Sequence, residues 1–262
     1  MKCCRRAAWC PLKARLRQSR NNEPRIFDCD AQMNPRNGCC YKAIARIGRD
    51  PSLTLRAVDG REPEGPCTAA QAFIRERFAA RYGARVRHFM PTLLQLEDDA
   101  GQLHGVVGVR SAADDTLFLE RYLDRPIETE IARLSGLRPA RERIVEVGNL
   151  AARGTGHARL LIVALADLLV AHGFDWVVFT GTAEVLNSVR RLHLSPLSLG
   201  DADPLRMGDE VADWGSYYAT HPKLMAGDLR TGHERLTSKG VYHRLGHQRI
   251  LNDTGTHDAA VA

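Results

Sequence analysis

The chain has 262 residues, 44% of them hydrophobic, with a formal net charge of +6. No apolar run approaches the roughly 20 residues that span a bilayer, so a globular protein without an integral membrane segment is expected. The positive charge belongs to the start: residues 1–50 hold 12 Lys and Arg against 4 Asp and Glu, and the remainder is slightly acidic, which gives no case for a basic nucleic-acid-binding face on the folded body.

Residues 1–66 read as a basic, Cys-containing leader that is expected to be disordered and to end in the Pro/Gly/Glu linker Glu62–Pro66. All seven cysteines (Cys3, Cys4, Cys10, Cys29, Cys39, Cys40 and Cys67) fall within the first 67 residues, and every histidine lies at or beyond His88. The odd count and the absence of C-x-x-C argue against a disulfide framework and against zinc, and no metal is expected. Met1–Leu12 lacks the apolar core of a secretory signal, so the expected location is cytoplasmic. Met33 is an alternative start.

Thr68 suits a helix N-cap, with Ile74, Phe78 and Tyr82 on one face and Gly83 as the stop. An antiparallel hairpin follows: Leu94 and Leu96 alternate, Asp98–Gly101 turns, and Leu103–Val109 returns, with Gly105 and Gly108 permitting close backbone approach. Ile127–Leu134 is predicted helical and is stopped by Gly136. Arg143–Leu150 reads as a strand, Ala151–Ala158 as a glycine-containing turn, Leu160–His172 as an apolar helix, and Phe174–Thr180 as a fully buried strand. Strand, loop, helix, strand is a parallel βαβ unit. Glu184–Leu194 is a further helix, and Trp214–Tyr218 a final aromatic strand. From Arg230 the chain is a polar, His-rich tail.

The turn in the βαβ unit carries the chemistry. Backbone N–H groups at a helix N-terminus lack intrahelical partners and favour anions. Arg153, Gly154, Thr155, Gly156, His157 and Ala158 place small residues and a cation there, and they fit R-x-x-G-x-A, the pyrophosphate-loop pattern of Gcn5-related acyltransferases. A tight turn that binds nothing is the alternative. A dinucleotide fingerprint lacks its third glycine, and a phosphate-binding Walker loop lacks its Gly-Lys-Ser/Thr.

Ile144-Val145-Glu146-Val147-Gly148-Asn149-Leu150-Ala151, Trp176–Thr180, Gly208-Asp209-Glu210 with Ala212–Tyr218, and Met225–Asp228 together resemble the thermostable hemolysin family of proteobacteria over Thr68–Leu229. The resemblance implies an α/β fold, a mixed sheet flanked by helices of the Gcn5-related N-acyltransferase-like kind, in residues 67–229, distantly akin to acyl-homoserine-lactone synthases. Glu146 stands where those synthases carry the Glu of E-x-S-R, whereas Gly148 and Asn149 replace the Ser and Arg.

Three functions follow. The first is an acyltransferase taking acyl-CoA, or an acylated carrier protein, as donor and a small amine as acceptor. The strand residues Gly148, Asn149 and Leu150, the Arg153–Ala158 loop and Asn187 would hold the donor, with Glu146 orienting or deprotonating the amine. The tyrosine that usually serves as acid is replaced by His193 and Leu194, so Tyr217 or Tyr218 would substitute; on a strand only one of them faces the cleft. The second is a membrane-active hemolysin, and the third a catalytically inactive acyl-CoA-binding module. For Glu146 the structural alternative is a buried carboxylate neutralised by Arg143 or Arg110. Asp209, Glu210 and Asp213 read as a solvated acidic loop, and His243/His247 as an incidental i, i+4 pair.

Overall fold

The computed structural model describes residues 42–60 and 66–250; the expectations for residues 1–41 and for most of the linker lie outside them. Among the described residues nine strands form one mixed sheet. In chain order they are β1 (Lys42–Ile47), β2 (Leu53–Asp59), β3 (Thr92–Glu97), β4 (Leu103–Ser111), β5 (Ile144–Ala152), β6 (Trp176–Gly181), β7 (Leu197–Asp201), β8 (Lys223–Asp228) and β9 (Gln248–Arg249). Their spatial order is β7-β8-β6-β5-β4-β3-β2-β1-β9. β5 and β6 pair in parallel, and the other described pairs are antiparallel. The helices are α1 (Pro66–Tyr82), α2 (Ile127–Ser135), α3 (Thr155–Ala171), α4 (Ala183–Arg191), α5 (Leu229–Ser238) and α6 (Val241–Arg244). This is the α/β architecture, a mixed sheet flanked by helices, that the motifs led one to expect.

Two layers cover the sheet. α3 is apolar almost all round and buries eight residues, Leu161 to Leu169 among them. It packs with α5 and α6 over β1, β2 and β4, at about 1.5–3 kcal/mol per fully buried aliphatic side chain. On the opposite face α1 covers β3 and β4 through Phe73, Ile74 and Leu93. There too, α2 and the 3-10 turn Phe118–Tyr122 cover β6 and β8 through Leu119, Ile131 and Val178. α1 starts at Pro66, a residue suited to a first helical position, and ends where Gly83 (φ +67°) donates back to the Ala79 carbonyl.

Five expectations are corrected. The leader does not extend to residue 66: Lys42–Ile47 and Leu53–Asp59 are sheet strands, because Leu53, Leu55 and Ala57 alternate onto the α3 face and are buried. The polar tail is part of the fold to residue 250. Asp228 caps α5 by accepting from the Thr231 N–H at 2.9 Å, and Leu229, Leu236 and Val241 anchor it in the core. β9 is held by Asp167 of α3, which accepts from His247 at 2.8 Å and pairs with Arg249 at 3.1 Å. The expected aromatic strand is instead irregular 3-10 structure: the stretch Pro204–Trp214, kinked at Gly208 (φ +56°), and the turn Tyr217–Thr220, separated by Gly215 at φ +54°. α3 begins at Thr155, so the turn before it is short. Finally, β6 buries Trp176 and Val178 on one face, while Val177 and Phe179 on the other are only half-buried.

β4 and β5 meet through paired glycines. Gly108 and Gly148 are register partners, and Met90 fills the notch they leave: a Cβ on Gly108 would lie 2.5 Å from the Met90 Cβ, and one on Gly148 2.5 Å from its terminal methyl. Gly108→Ala is expected to lower the unfolding free energy by about 1–3 kcal/mol through overpacking. Gly148→Ala, which meets only the mobile end of Met90, is expected to lower it less. Urea titration of both variants measures the difference, and equal losses would contradict the notch.

Candidate functional site

The parallel ladder between β5 and β6 runs from Ile144↔Trp176 to Val147↔Phe179 and stops. Beyond it β5 continues to Ala152 beside β4, with a bulge: Gly108 pairs Gly148 and Val106 pairs Ala151, so Asn149 and Leu150 oppose Val107 alone. Asn149 takes the left-handed conformation (φ 51°) that this extra residue demands. Its side chain secures the bend by accepting the Met90 N–H at 2.8 Å and donating to the His88 carbonyl at 3.3 Å.

A cavity of about 290 Å³ opens where the strands part, and both faces of the sheet contribute walls. On the α3 side these are aliphatic, with Ile162, Leu165, Leu169, Val177, Val185 and Val189. On the α1 side they are aromatic, with Phe78, Tyr82, Phe118, Tyr122, Trp214 and Tyr217.

Glu146 faces the aromatic side and is 3% exposed. The expected arginine partner is not what satisfies it. Its carboxylate accepts the backbone N–H groups of Phe118 at 2.8 Å and Leu119 at 2.9 Å, while Arg143 pairs with Asp175 at 2.9 Å. Burial pushes the Glu146 carboxyl above the ordinary carboxylate range, although the two amides and the charge of Arg110 pull the other way. The turn presenting those amides is itself pinned. Glu120 accepts the Leu117 N–H at 2.8 Å and the Ile127 N–H at 3.0 Å, and pairs with Arg141 at 2.7 Å.

The two tyrosines separate as expected, though by 3-10 geometry and not by strand alternation. Tyr217 walls the cavity, with ring centroids 5.3 Å from both Tyr82 and Trp214, and burial raises its hydroxyl pKa above the ordinary range. Tyr218 lies outside the lining and shares a 2.6 Å hydrogen bond with the Tyr122 hydroxyl.

Gly148, Asn149 and Leu150 line the cavity; Arg153–Ala158 and Asn187 do not. Arg153 lies along β4, its Nε donating to the Leu103 carbonyl at 2.7 Å. Gly154 precedes α3 and no side chain caps the helix. A Cβ at Gly154 or Gly156 would meet nothing within 4 Å, so this turn is open. The His157 ring lies 4.9 Å from that of His104; burial, then the charges of His104 and Arg153, lower its pKa. Asn187 is exposed on α4 beside Arg190 at 3.4 Å. The acidic loop is engaged by arginines and not merely solvated: Asp213 pairs with Arg85 at 3.0 Å and Arg87 at 2.9 Å, and Glu210 with Arg121 at 2.8 Å.

Sequence reading missed Met90, the aromatic wall from α1 and the amides of Phe118 and Leu119. Only the apolar face of α1 signalled any of them. Among the described residues no cluster of three His, Cys, Asp or Glu is arranged for a metal, and no helix is long and apolar enough to cross a membrane.

The profile of the thermostable hemolysin family matches residues 63–233. No curated protein matches the sequence. Among solved structures, TofI in a ternary complex with an inhibitor and MTA is 11% identical at a TM-score of 0.46, covering 67% of this chain and 91% of that one. The AHL synthase LasI is 12% identical at 0.45, covering 68% and 89%. FeeM, an N-acyl amino acid synthase from uncultured soil microbes, is 15% identical at 0.43, covering 74% and 95%.

Removing the Glu146 carboxylate leaves the buried Leu119 amide and the part-buried Phe118 amide without an acceptor, so Glu146→Ala is expected to cost about 1–3 kcal/mol for the buried amide and less for the other. Because the folded pKa lies above the unfolded one, the titration of Glu146 favours the fold below the unfolded pKa. That contribution is lost as pH rises through the folded pKa. Urea titrations across the acid range are therefore expected to show this slope in the wild type and its loss in Glu146→Ala.

Proposed function

The chain belongs to the thermostable hemolysin family, and we propose that this protein binds an acyl-CoA or acyl-carrier-protein donor in the split of its sheet and passes the acyl group to an amine. The observation that carries this reading is the divergence of β5 and β6 beyond Val147↔Phe179, which joins an aliphatic chamber to one containing a buried carboxylate. An extended pantetheine arm suits the edge that β5 turns toward the split, since an extended chain adds to a strand through backbone hydrogen bonds.

The uncapped start of α3 supports an anion anchor formed by Arg153, Gly154, Thr155, Gly156, His157 and Ala158, with Asn187 contributed by α4. Ile162, which walls the cavity, lies seven residues beyond Thr155, about 10 Å along the helix at 1.5 Å per residue. A diphosphate at the first turn and a thioester in the split are thus separated on the scale of the arm that joins them.

In the reaction, the amine nitrogen forms a bond to the thioester carbonyl carbon as the C–S bond breaks. Glu146, held rigidly by two amides and with its proton affinity raised by burial, takes a proton from the amine. Tyr217, on the cavity wall and kept protonated by burial, would relay the second amine proton to the leaving sulfur, taking up one proton as it gives up another.

Calorimetry with CoA and acetyl-CoA is expected to give saturable binding, and no binding at millimolar concentration would sink the reading. Arg153→Ala is expected to weaken CoA about tenfold, the scale of one charge-assisted contact to phosphate, while leaving pantetheine unaffected. Glu146→Gln is expected to lower turnover about a hundredfold. Strong dye release from liposomes by the purified protein without any donor would favour a directly lytic activity instead.

A further inference from the structure

Arg110 of β4 and Glu146 of β5 are register partners in the antiparallel ladder, so their side chains leave the same face with Cβ atoms about 5 Å apart. Both wall the cavity. No hydrogen bond or ion pair nevertheless joins them directly. Glu146 is occupied by the amides of Phe118 and Leu119, and Arg110 donates to the Thr116 carbonyl at 3.3 Å. A guanidinium carries five N–H donors in a planar fork, and among the described residues that carbonyl accounts for one. A cation and an anion thus face one chamber side by side, within walls supplied by Phe118, Tyr122, Trp214 and Tyr217.

A simple amine would use the carboxylate and leave the guanidinium idle, and a simple acid would do the reverse. We propose that the acceptor is a zwitterionic α-amino acid with an apolar side chain. Its ammonium lies toward Glu146, its carboxylate is taken by the fork of Arg110, and its side chain sits among the aromatic rings. This rests on the acyl-transfer reading and names the acceptor for it.

The charges also serve the chemistry. The positive charge of Arg110 holds down the proton affinity of Glu146. A bound carboxylate offsets that charge and makes Glu146 a better base when the acceptor arrives. The ammonium gives one proton to Glu146. The neutral nitrogen then forms the C–N bond as the thioester C–S bond breaks, and the sulfur leaves as a thiol with the second amine proton. The products are an N-acyl amino acid and free CoA.

Calorimetry of the full chain without any donor tests the site independently of acyl transfer. Phenylalanine is expected to bind at least tenfold more tightly than phenethylamine, which lacks the carboxylate, or phenylpropionate, which lacks the amine. Arg110→Gln is expected to abolish the preference over phenethylamine, and Arg110→Lys to restore part of it, with the thermal midpoints of both variants checked against the wild type. Equal binding of phenylalanine and phenethylamine, a preference that survives Arg110→Gln, or no binding of phenylalanine and leucine would each overturn the proposal. Amino-acid binding in a protein that binds no CoA would support the acceptor site and remove the acyl-transfer reading alone.

Discussion

Hydrogen bonding between β5 and β6 ends after Val147 and Phe179, and the rest of the site depends on that ending. A bulge at Asn149 and Leu150 carries β5 along with β4. Residue 149 must adopt a positive φ for this, and an asparagine there doubles as a fastener by gripping the backbone of His88 and Met90. Met90 in turn occupies the space that Gly108 and Gly148 leave empty. The divergence is therefore built from backbone strain at one residue, missing side chains at two, and a methionine that fits between them. A sheet that kept its ladder would have no chamber.

Around that opening the protein segregates its chemistry by layer. α3 and α4 turn aliphatic side chains toward one side of the split; α1 and the 3-10 segments turn aromatic rings toward the other. Glu146 is a buried carboxylate on the aromatic side, and its burial is compensated by two amides of a turn that is itself locked by Glu120 and Arg141. Amide donors stabilise a carboxylate without introducing a formal counter-charge, which leaves Arg110 available to the cavity although it is the cross-strand neighbour. A direct Arg110–Glu146 pair would have been the simpler way to bury the acid, and it would have left the chamber without either charge to offer.

The βαβ unit was legible because its pattern is local. A continuous apolar helix bounded by Gly154 and Gly173 and flanked by two Val-rich strands has few other readings. The α1 face and the β3–β4 hairpin were legible for the same reason. β1 and β2 were not. Their alternation is short and interrupted by charges, and it becomes meaningful only when β3 and α3 supply the two surfaces that bury it. The region after Trp214 misled in the opposite direction: adjacent aromatics favour strands by propensity, but packing against α1 and the Phe118 turn selects 3-10 geometry around Gly215. The polar tail offered no periodic signal, since its hold on the core includes a buried aspartate 80 residues earlier.

By itself the sequence determined the family, the strand–helix–strand unit and the position of Glu146 within it, because each is written in contiguous residues whose spacing dictates local structure. Tertiary structure alone decided what surrounds that carboxylate. Phe118 and Leu119 lie almost thirty residues before it, and Trp214 and Tyr217 about seventy after. Only the packing of the 3-10 segments against the sheet brings them together. Whether Arg110 neutralises Glu146 or stands beside it unpaired was likewise undecidable from spacing, because cross-strand register makes the two neighbours while the competing amides come from a different part of the chain.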